Sequence, residues 1–346
     1  YGLEYVYNQV GSVGSRTTII TGSTAPFASR YPNNSRWQTS GAYGSYKLNL
    51  HKSLTLISGL RFSYNQLNSN FDTTFIKFPY KKASIKDGGL TGNLGLVYRP
   101  SDKLQLNANF STGYRMPNVD DVGKLFESIP GNLTVPNPNL TSEYAWNLEM
   151  GIVWKASDRL KVEFNVFHTW LNNAITLRPY QFDGKDSIAF NGVMSKVQAL
   201  QNVSTATVWG VQTSVHYKIS RDLFLQIFAN WINGKETDDT KNEQVPLRHA
   251  PPFYGNTNMR YSRDKLFIEF SAAYNGEVSA ADLAPVEQAK TDIYAKDANG
   301  KSYCPAWYTL NLKTSYQLDP KTSIVIEKTS RFILAKNSVA VEVLRL

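Results

Sequence analysis

Four histidines, His51, His168, His216 and His249, supply every imidazole in the 346-residue chain, and imidazole is a common metal ligand. Their places limit them. His51 falls in a short turn, His168 on the apolar face of an alternating run, and His216 on the polar face of another. His249 lies in a long polar segment beside Pro251-Pro252. A second cluster joins Lys77, Lys81, Lys82 and Lys86 to Phe75, Phe78 and Tyr80. Cations and rings so spaced could draw an anionic chelate or a lipopolysaccharide phosphate by charge steering and stacking; a solvated loop is the simpler reading. Glu236, Asp238, Asp239 and Glu243 could hold Ca²⁺, which takes several carboxylate oxygens, but their spacing matches no ligand loop. The single cysteine, Cys304, excludes an internal disulfide and a cysteine-built metal cluster. No GxSxG, HExxH, P-loop or paired-carboxylate arrangement has supporting context. Neither catalysis nor a resident cofactor or metal is expected.

The elements that carry these groups read as strands. In 103–114, Leu104, Leu106, Ala108, Phe110, Thr112 and Tyr114 alternate with Lys103, Gln105, Asn107, Asn109 and Ser111. In 143–154, Tyr144, Trp146, Leu148, Met150, Ile152 and Trp154 alternate with Ala145, Asn147, Glu149 and Gly151. Period two places successive side chains on opposite faces of a strand. Between the two lies a loop bounded by Arg115-Met116-Pro117-Asn118 and Pro136-Asn137-Pro138-Asn139-Leu140, whose prolines cannot donate to a ladder.

The same pattern recurs along the chain. Short turns at 51–52, 100–102, 156–158, 220–222 and 262–264 alternate with long loops near 11–36, 66–89, 118–140, 172–206, 233–253 and 275–305. No helical period intervenes, so βαβ units are not expected. No apolar run reaches the roughly 18–20 residues of a membrane helix. Charged residues are only 19% and aromatics 13%, which argues against disorder. The net charge of +9 is dispersed and forms no nucleic-acid stripe. Short turns at one end, long loops at the other and alternating strands define an antiparallel transmembrane β-barrel with periplasmic turns and extracellular loops. A closed sheet pairs every backbone group in lipid. Trp37, Tyr98, Tyr114, Trp154, Trp170, Tyr217, Trp231, Tyr261 and Tyr274 end strands and are expected in the interfacial girdles.

Specific boxes add a resemblance. Tyr114-Arg115-Met116-Pro117-Asn118-Val119-Asp120-Asp121 and Asn137-Pro138-Asn139-Leu140 resemble those of TonB-dependent outer-membrane receptors, particularly of Bacteroidetes-type bacteria. Glu143, Asn147 and Gly151 follow, then Gln201-Asn202-Val203, Trp209-Gly210-Val211-Gln212, Pro246-Leu247 and Pro251-Pro252. The resemblance covers about 1–320. It implies a barrel of about 22 strands around an N-terminal plug, in the bacterial outer membrane, energised by TonB–ExbB–ExbD. Such receptors take up ferric siderophores, haem or cobalamin without breaking a bond. About fourteen strands are present, so 1–346 reads as a partial barrel domain without its plug, and the start at Tyr1 reads as processed or truncated. After Glu327 the family would continue with a turn, a long loop and a final strand. Here Lys328-Thr329-Ser330-Arg331 leads to Phe332-Ile333-Leu334 and a terminus at Leu346, which suggests an internal deletion or frame error near residue 328.

The boxes also resemble those of haem receptors, in which a histidine between them holds the iron. No histidine occurs in 118–136; His249 and the Tyr114 phenol are the remaining candidates. The candidate ligand-binding set is Phe75, Lys77, Phe78, Tyr80, Lys81, Lys82, Arg115, Asp120, Asp121 and His249. The expected function is uptake of an iron chelate, siderophore before haem. The expected surroundings are outer-membrane lipid or lipopolysaccharide. The alternative is a non-transporting barrel, either an adhesin or scaffold or a decayed receptor fragment.

Overall fold

The computed structural model describes residues 1–202, 205–238, 243–288, 290, 293–335 and 338–344. Fourteen long-sheet strands follow one another: β1 (Gly2–Val10), β2 (Ser35–His51), β3 (Leu54–Asn70), β4 (Lys82–Ser101), β5 (Leu104–Arg115), β6 (Glu143–Lys155), β7 (Leu160–Asn172), β8 (Thr205–Lys218), β9 (Leu223–Asp238), β10 (Tyr254–Arg263), β11 (Leu266–Asn275), β12 (Ala306–Asp319), β13 (Thr322–Ala335) and β14 (Ser338–Leu344). Each pairs with its sequence neighbours in a single meander, and Glu243–Pro246 adds to β9. Every pairing along this meander is antiparallel. Among the described residues β1 and β14 each have one neighbour in the sheet, so these fourteen strands do not close on themselves.

Register confirms the two faces. Leu106, Ile152 and Phe164 stand in one row, and Phe110, Leu148 and His168 in another. The apolar face is bare: Leu60 is 59% exposed, Phe62 51%, Met150 51% and Trp231 56%. Such a surface is stable only against lipid. The opposite face carries Asn107, Asn109, Glu149, Asn165, Gln212 and Ser214 around a concavity of about 450 Å³. Charges there pair across strands: Arg260 Nη2 to Glu269 at 2.8 Å, Arg61 to Glu4 at 2.9 Å, and Lys313 to Glu327.

The buried core lies at the long-loop end. Leu67, Phe71, Ala83, Met116, Val119, Val122 and Leu140 form one cluster. A second unites Leu125, Leu133, Val135, Phe182, Val197 and Ala199. Beneath the second is a five-stranded sheet built by two loops: Phe126–Ile129, Asn132–Thr134, Ile175–Pro179, Ser187–Phe190 and Val193–Asn202. Its link between loops is the parallel pairing of Val193–Asn202 with Asn132–Thr134.

Several expectations need correction. The loop expected at 66–89 spans only 71–81, because β3 and β4 continue past the membrane level. Lys82 and Lys86 therefore lie on a strand. Trp37 and Tyr114 are not girdle residues; both pack against the first loop cluster. Alternation continues above the lipid, so the face that meets water lower down meets loops there, and Trp37 follows it. The loop expected from 233 begins after Asp238, and Asp239 lies outside the described residues. Residue 328 itself lies within β13, in step with β12.

That strand carries one misfit. Lys328 faces Leu312 in the apolar row that continues to Phe270. A lysine facing lipid near mid-membrane costs about 2–4 kcal/mol. Lys328→Leu is therefore expected to raise stability by about that amount, read as a higher urea midpoint in lipid vesicles. An unchanged or lower midpoint would show that Lys328 does not meet lipid.

Candidate functional site

The 116–142 loop starts with a helical turn, α1 (Val119–Gly123), set by a reciprocal cap. Asn118 Oδ1 accepts from the Asp120 and Asp121 amides at 2.8 and 3.1 Å, and Asp121 Oδ2 accepts from the Asn118 amide at 2.9 Å. Such a capping box satisfies donors that a helix start leaves open. Arg115 then spans Asp121, at 2.6 Å, and Glu143. Glu143 Oε1 accepts the Ile175 amide at 2.5 Å, which fastens the next loop. Asp120 takes the Tyr31 hydroxyl at 2.7 Å and the Lys124 ammonium at 3.0 Å. Burial alone would raise its carboxyl; the Tyr31 and Lys124 hydrogen bonds hold it below the usual range.

The second box closes the loop. Asn137 is buried; its Nδ2 donates to the Leu200 carbonyl at 2.8 Å and its Oδ1 accepts the Asn139 amide at 3.1 Å. Pro117 and Pro136 are fully buried, and the Tyr80 hydroxyl donates to the Pro136 carbonyl. Met116 and Leu140 enter the first core cluster. Pro138 is half-buried and Asn139 exposed. Asn202 locks the neighbouring loop by donating to the Thr141 and Asn173 carbonyls at 2.9 and 2.7 Å. The Tyr114 ring lies over Gly89, where a Cβ would meet it at 2.4 Å, and its hydroxyl accepts from Ser142 at 3.3 Å.

The basic and aromatic cluster divides. Phe78 and Tyr80 point inward, stacked at 5.8 Å, and both contact Phe71. Phe75 stays 42% exposed beside Phe27. Lys77, Lys81 and Lys82 are exposed. The structure thus separates the lysines from two of the three rings.

Two ionic hubs stand at the roof, and the sequence does not show which residues pair in them. Arg178 Nη1 donates to Glu236 Oε1 at 2.7 Å, with Glu236 fully buried. Glu287 collects Lys290 at 2.9 Å, the Tyr294 hydroxyl at 2.7 Å and Arg248. Weak alternation of Ser195, Val197 and Ala199 against Lys196 and Gln198 was the available sign of the loop sheet. Burial alone would push the Glu287 carboxyl up, but the Tyr294 and Lys290 hydrogen bonds and the Arg248 cation outweigh it and hold it at about 2. A lowered folded value means stability present above the ordinary value near 4.5 and lost as pH falls toward 2. Hydrogen-exchange protection of 276–305 is expected to fall over that window, by about 1–2 kcal/mol once solvent screening is discounted. Glu287→Gln should remove the step.

The histidines are dispersed. His51 Nδ1 lies 3.0 Å from Ser53 Oγ in its turn. The His168 ring lies tilted against Trp170, centroids 4.2 Å apart, on the apolar face. His216 Nε2 lies 2.9 Å from Ser214 Oγ on the polar face. His249 is 73% exposed, 3.9 Å from Glu287, with φ of 62°. Among the described residues no group of three or more His, Cys, Asp or Glu could hold a metal ion.

Residues 1–332 match the family described as TonB dependent receptor-like, beta-barrel. The chain belongs to that family, whose barrels reside in the bacterial outer membrane and are transporters, not enzymes. Hemoglobin-haptoglobin utilization protein B of Neisseria meningitidis serogroup C is 24% identical over 264 residues, 70% of this chain and 32% of that protein. The copper transporter OprC superposes with a TM-score of 0.66 at 14% identity, over 96% of this chain and 46% of OprC. The Serratia marcescens hemophore receptor HasR, in complex with its hemophore HasA and heme, gives 0.65 at 15%, over 97% and 52%. The ferric yersiniabactin uptake receptor FyuA from Yersinia pestis gives 0.57 at 15%, over 90% and 42%. The chain spans about a third of the curated relative's length and about half of each solved structure. A narrower Bacteroidetes-type assignment gains no support from these relatives.

Proposed function

We propose that the chain serves uptake of an iron chelate across the outer membrane, powered through TonB in the intact receptor. The family match over residues 1–332 carries this reading. The named ligands of similar proteins favour iron: hemoglobin-haptoglobin for the Neisseria protein, heme for HasR and ferric yersiniabactin for FyuA; the OprC name points to copper instead. A ferric siderophore is the first candidate and haem the second. Arg115, Asp120 and Asp121 are engaged with each other's loop; their part is to hold the roof. Exposed Phe75, Lys77, Lys81 and Lys82 are the groups free to meet an anionic chelate, with His249 the remaining candidate for haem.

Titrating the intact receptor with ferric siderophores, haem and a cupric chelate, read by tryptophan fluorescence, tests the ligand class. Saturable quenching by a ferric siderophore or haem, with cellular uptake abolished when TonB is lost, is the expected result. Saturation by the cupric chelate alone, or uptake indifferent to TonB, would overturn it. Binding of none would leave the adhesin or scaffold reading in its place.

A further inference from the structure

We propose, resting on the uptake reading, that the chelate crosses along the inner wall of β3–β8 and not along that of β10–β13. On the first wall a cross-strand pairing of glycine with asparagine recurs. Gly59 stands opposite Asn93, Gly95 opposite Asn109 and Gly151 opposite Asn165. Each asparagine lies flat over its glycine: a Cβ there would come within 2.6, 3.1 and 3.1 Å of the amide oxygen. Phe167 lies over Gly210 in the same way, 2.7 Å from such a Cβ. Glycine inside a strand leaves room for close approach, so these groups are laid against the wall instead of projecting from it.

Two hollows follow from this. One of about 510 Å³ is edged by Tyr43, Ser45, Arg61, Thr91, Asn93 and Ser111. It adjoins, at Ser111 and Asn109 of β5, the concavity of about 450 Å³ lined by Asn109, Asn165 and Gln212. The charges at their edges are tied down: Arg61 to Glu4 at 2.9 Å, Glu163 to Lys161, and Glu149 by the Asn165 amide at 2.7 Å. What remains is amide and hydroxyl, whose hydrogen bonds exchange with those of water at little net cost. Passage needs contacts that are many and weak. Asn107, Gly151, Asn165 and Gln212 form one row that ends at Asn230. Asn230 is fully buried, and neither atom of its amide has a partner among the described residues; such a group calls for a ligand or a water. The other wall differs. Arg260, Glu269, Lys313 and Glu327 alternate in sign along one row of β10–β13. Fixed charges on long side chains set a partner in one register and hold an anionic chelate instead of passing it.

The test uses the intact receptor in cells, in a Cys304→Ser background. Asn93→Cys, Asn109→Cys and Asn165→Cys are set against Asn258→Cys and Asn311→Cys, which stand on the polar face of β10 and β12. Each is treated with a bulky maleimide while TonB is energised and compared with the same variant untreated. The readouts are uptake of a ferric siderophore or haem, whichever saturates the fluorescence titration, and its binding from outside. Labelling at 93, 109 and 165 is expected to lower uptake about 10-fold with binding kept, and labelling at 258 and 311 to change uptake less than about twofold. The reverse pattern, equal loss at all five positions, or no labelling of 93, 109 and 165 during uptake would overturn the path while the uptake reading stands. If the Cys304→Ser receptor itself takes up neither compound, the uptake reading falls and the path with it.

Discussion

Glu236→Ala is expected to loosen the roof by about 3–5 kcal/mol, the usual consequence of leaving one buried partner of an ion pair alone. Glu236 is fully buried, and Arg178, only 16% exposed in its side chain, would keep its charge with no counterion. The effect is local, because Arg178 belongs to Ile175–Pro179, which joins the loop sheet and not the long one. Hydrogen-exchange protection in 175–202 should fall while β5–β7 hold theirs. Burial raises the Glu236 carboxyl, against the pull of Arg178, so the pair is kept at a desolvation cost. It follows that Glu236→Leu with Arg178→Met should restore most of the lost protection. If the single substitution changes protection by less than about 1 kcal/mol, the pair is not buried in solution.

Leu67→Ala is expected to cost about 2–5 kcal/mol through the lost burial and the cavity left behind. Leu67 is 0% exposed and touches the cluster containing Phe71, Met116, Val122 and Leu140. It sits on a long-sheet strand and yet holds up the roof, so the opening should appear in 116–123 and 71–83. Leu60→Ala, seven residues earlier on the lipid-facing side, should leave the protection of those segments unchanged. Equal loss from both would mean that Leu67 is not part of the roof core.

The long strands were legible because period two over nine or more residues has no helical competitor. Leu148 and Phe110, opposite each other in the sheet, could each be assigned a face from sequence alone. The loop sheet was not, since Asn132–Thr134 and Ile175–Pro179 are too short for alternation to stand out. Helix α1 has only five residues; its sign was the Asn118-to-Asp121 spacing of the cap. Trp37 and Tyr114 differ from the girdle expectation because their strand ends lie against the loops, where an aromatic marks packing and not the interface. The prolines at 117 and 136 bound the loop between β5 and β6, whereas the Arg178–Glu236 pair joins residues 58 positions apart and leaves no local trace.

The central claim is that one face of this sheet meets lipid and the other a wet interior. In a Cys304→Ser background, single cysteines at Asn109, Phe110, Asn147 and Leu148 can carry an environment-sensitive fluorophore in lipid vesicles. The account predicts blue-shifted emission from 110 and 148 and red-shifted emission from 109 and 147. Uniform emission at the four positions, or the reverse alternation, would contradict it.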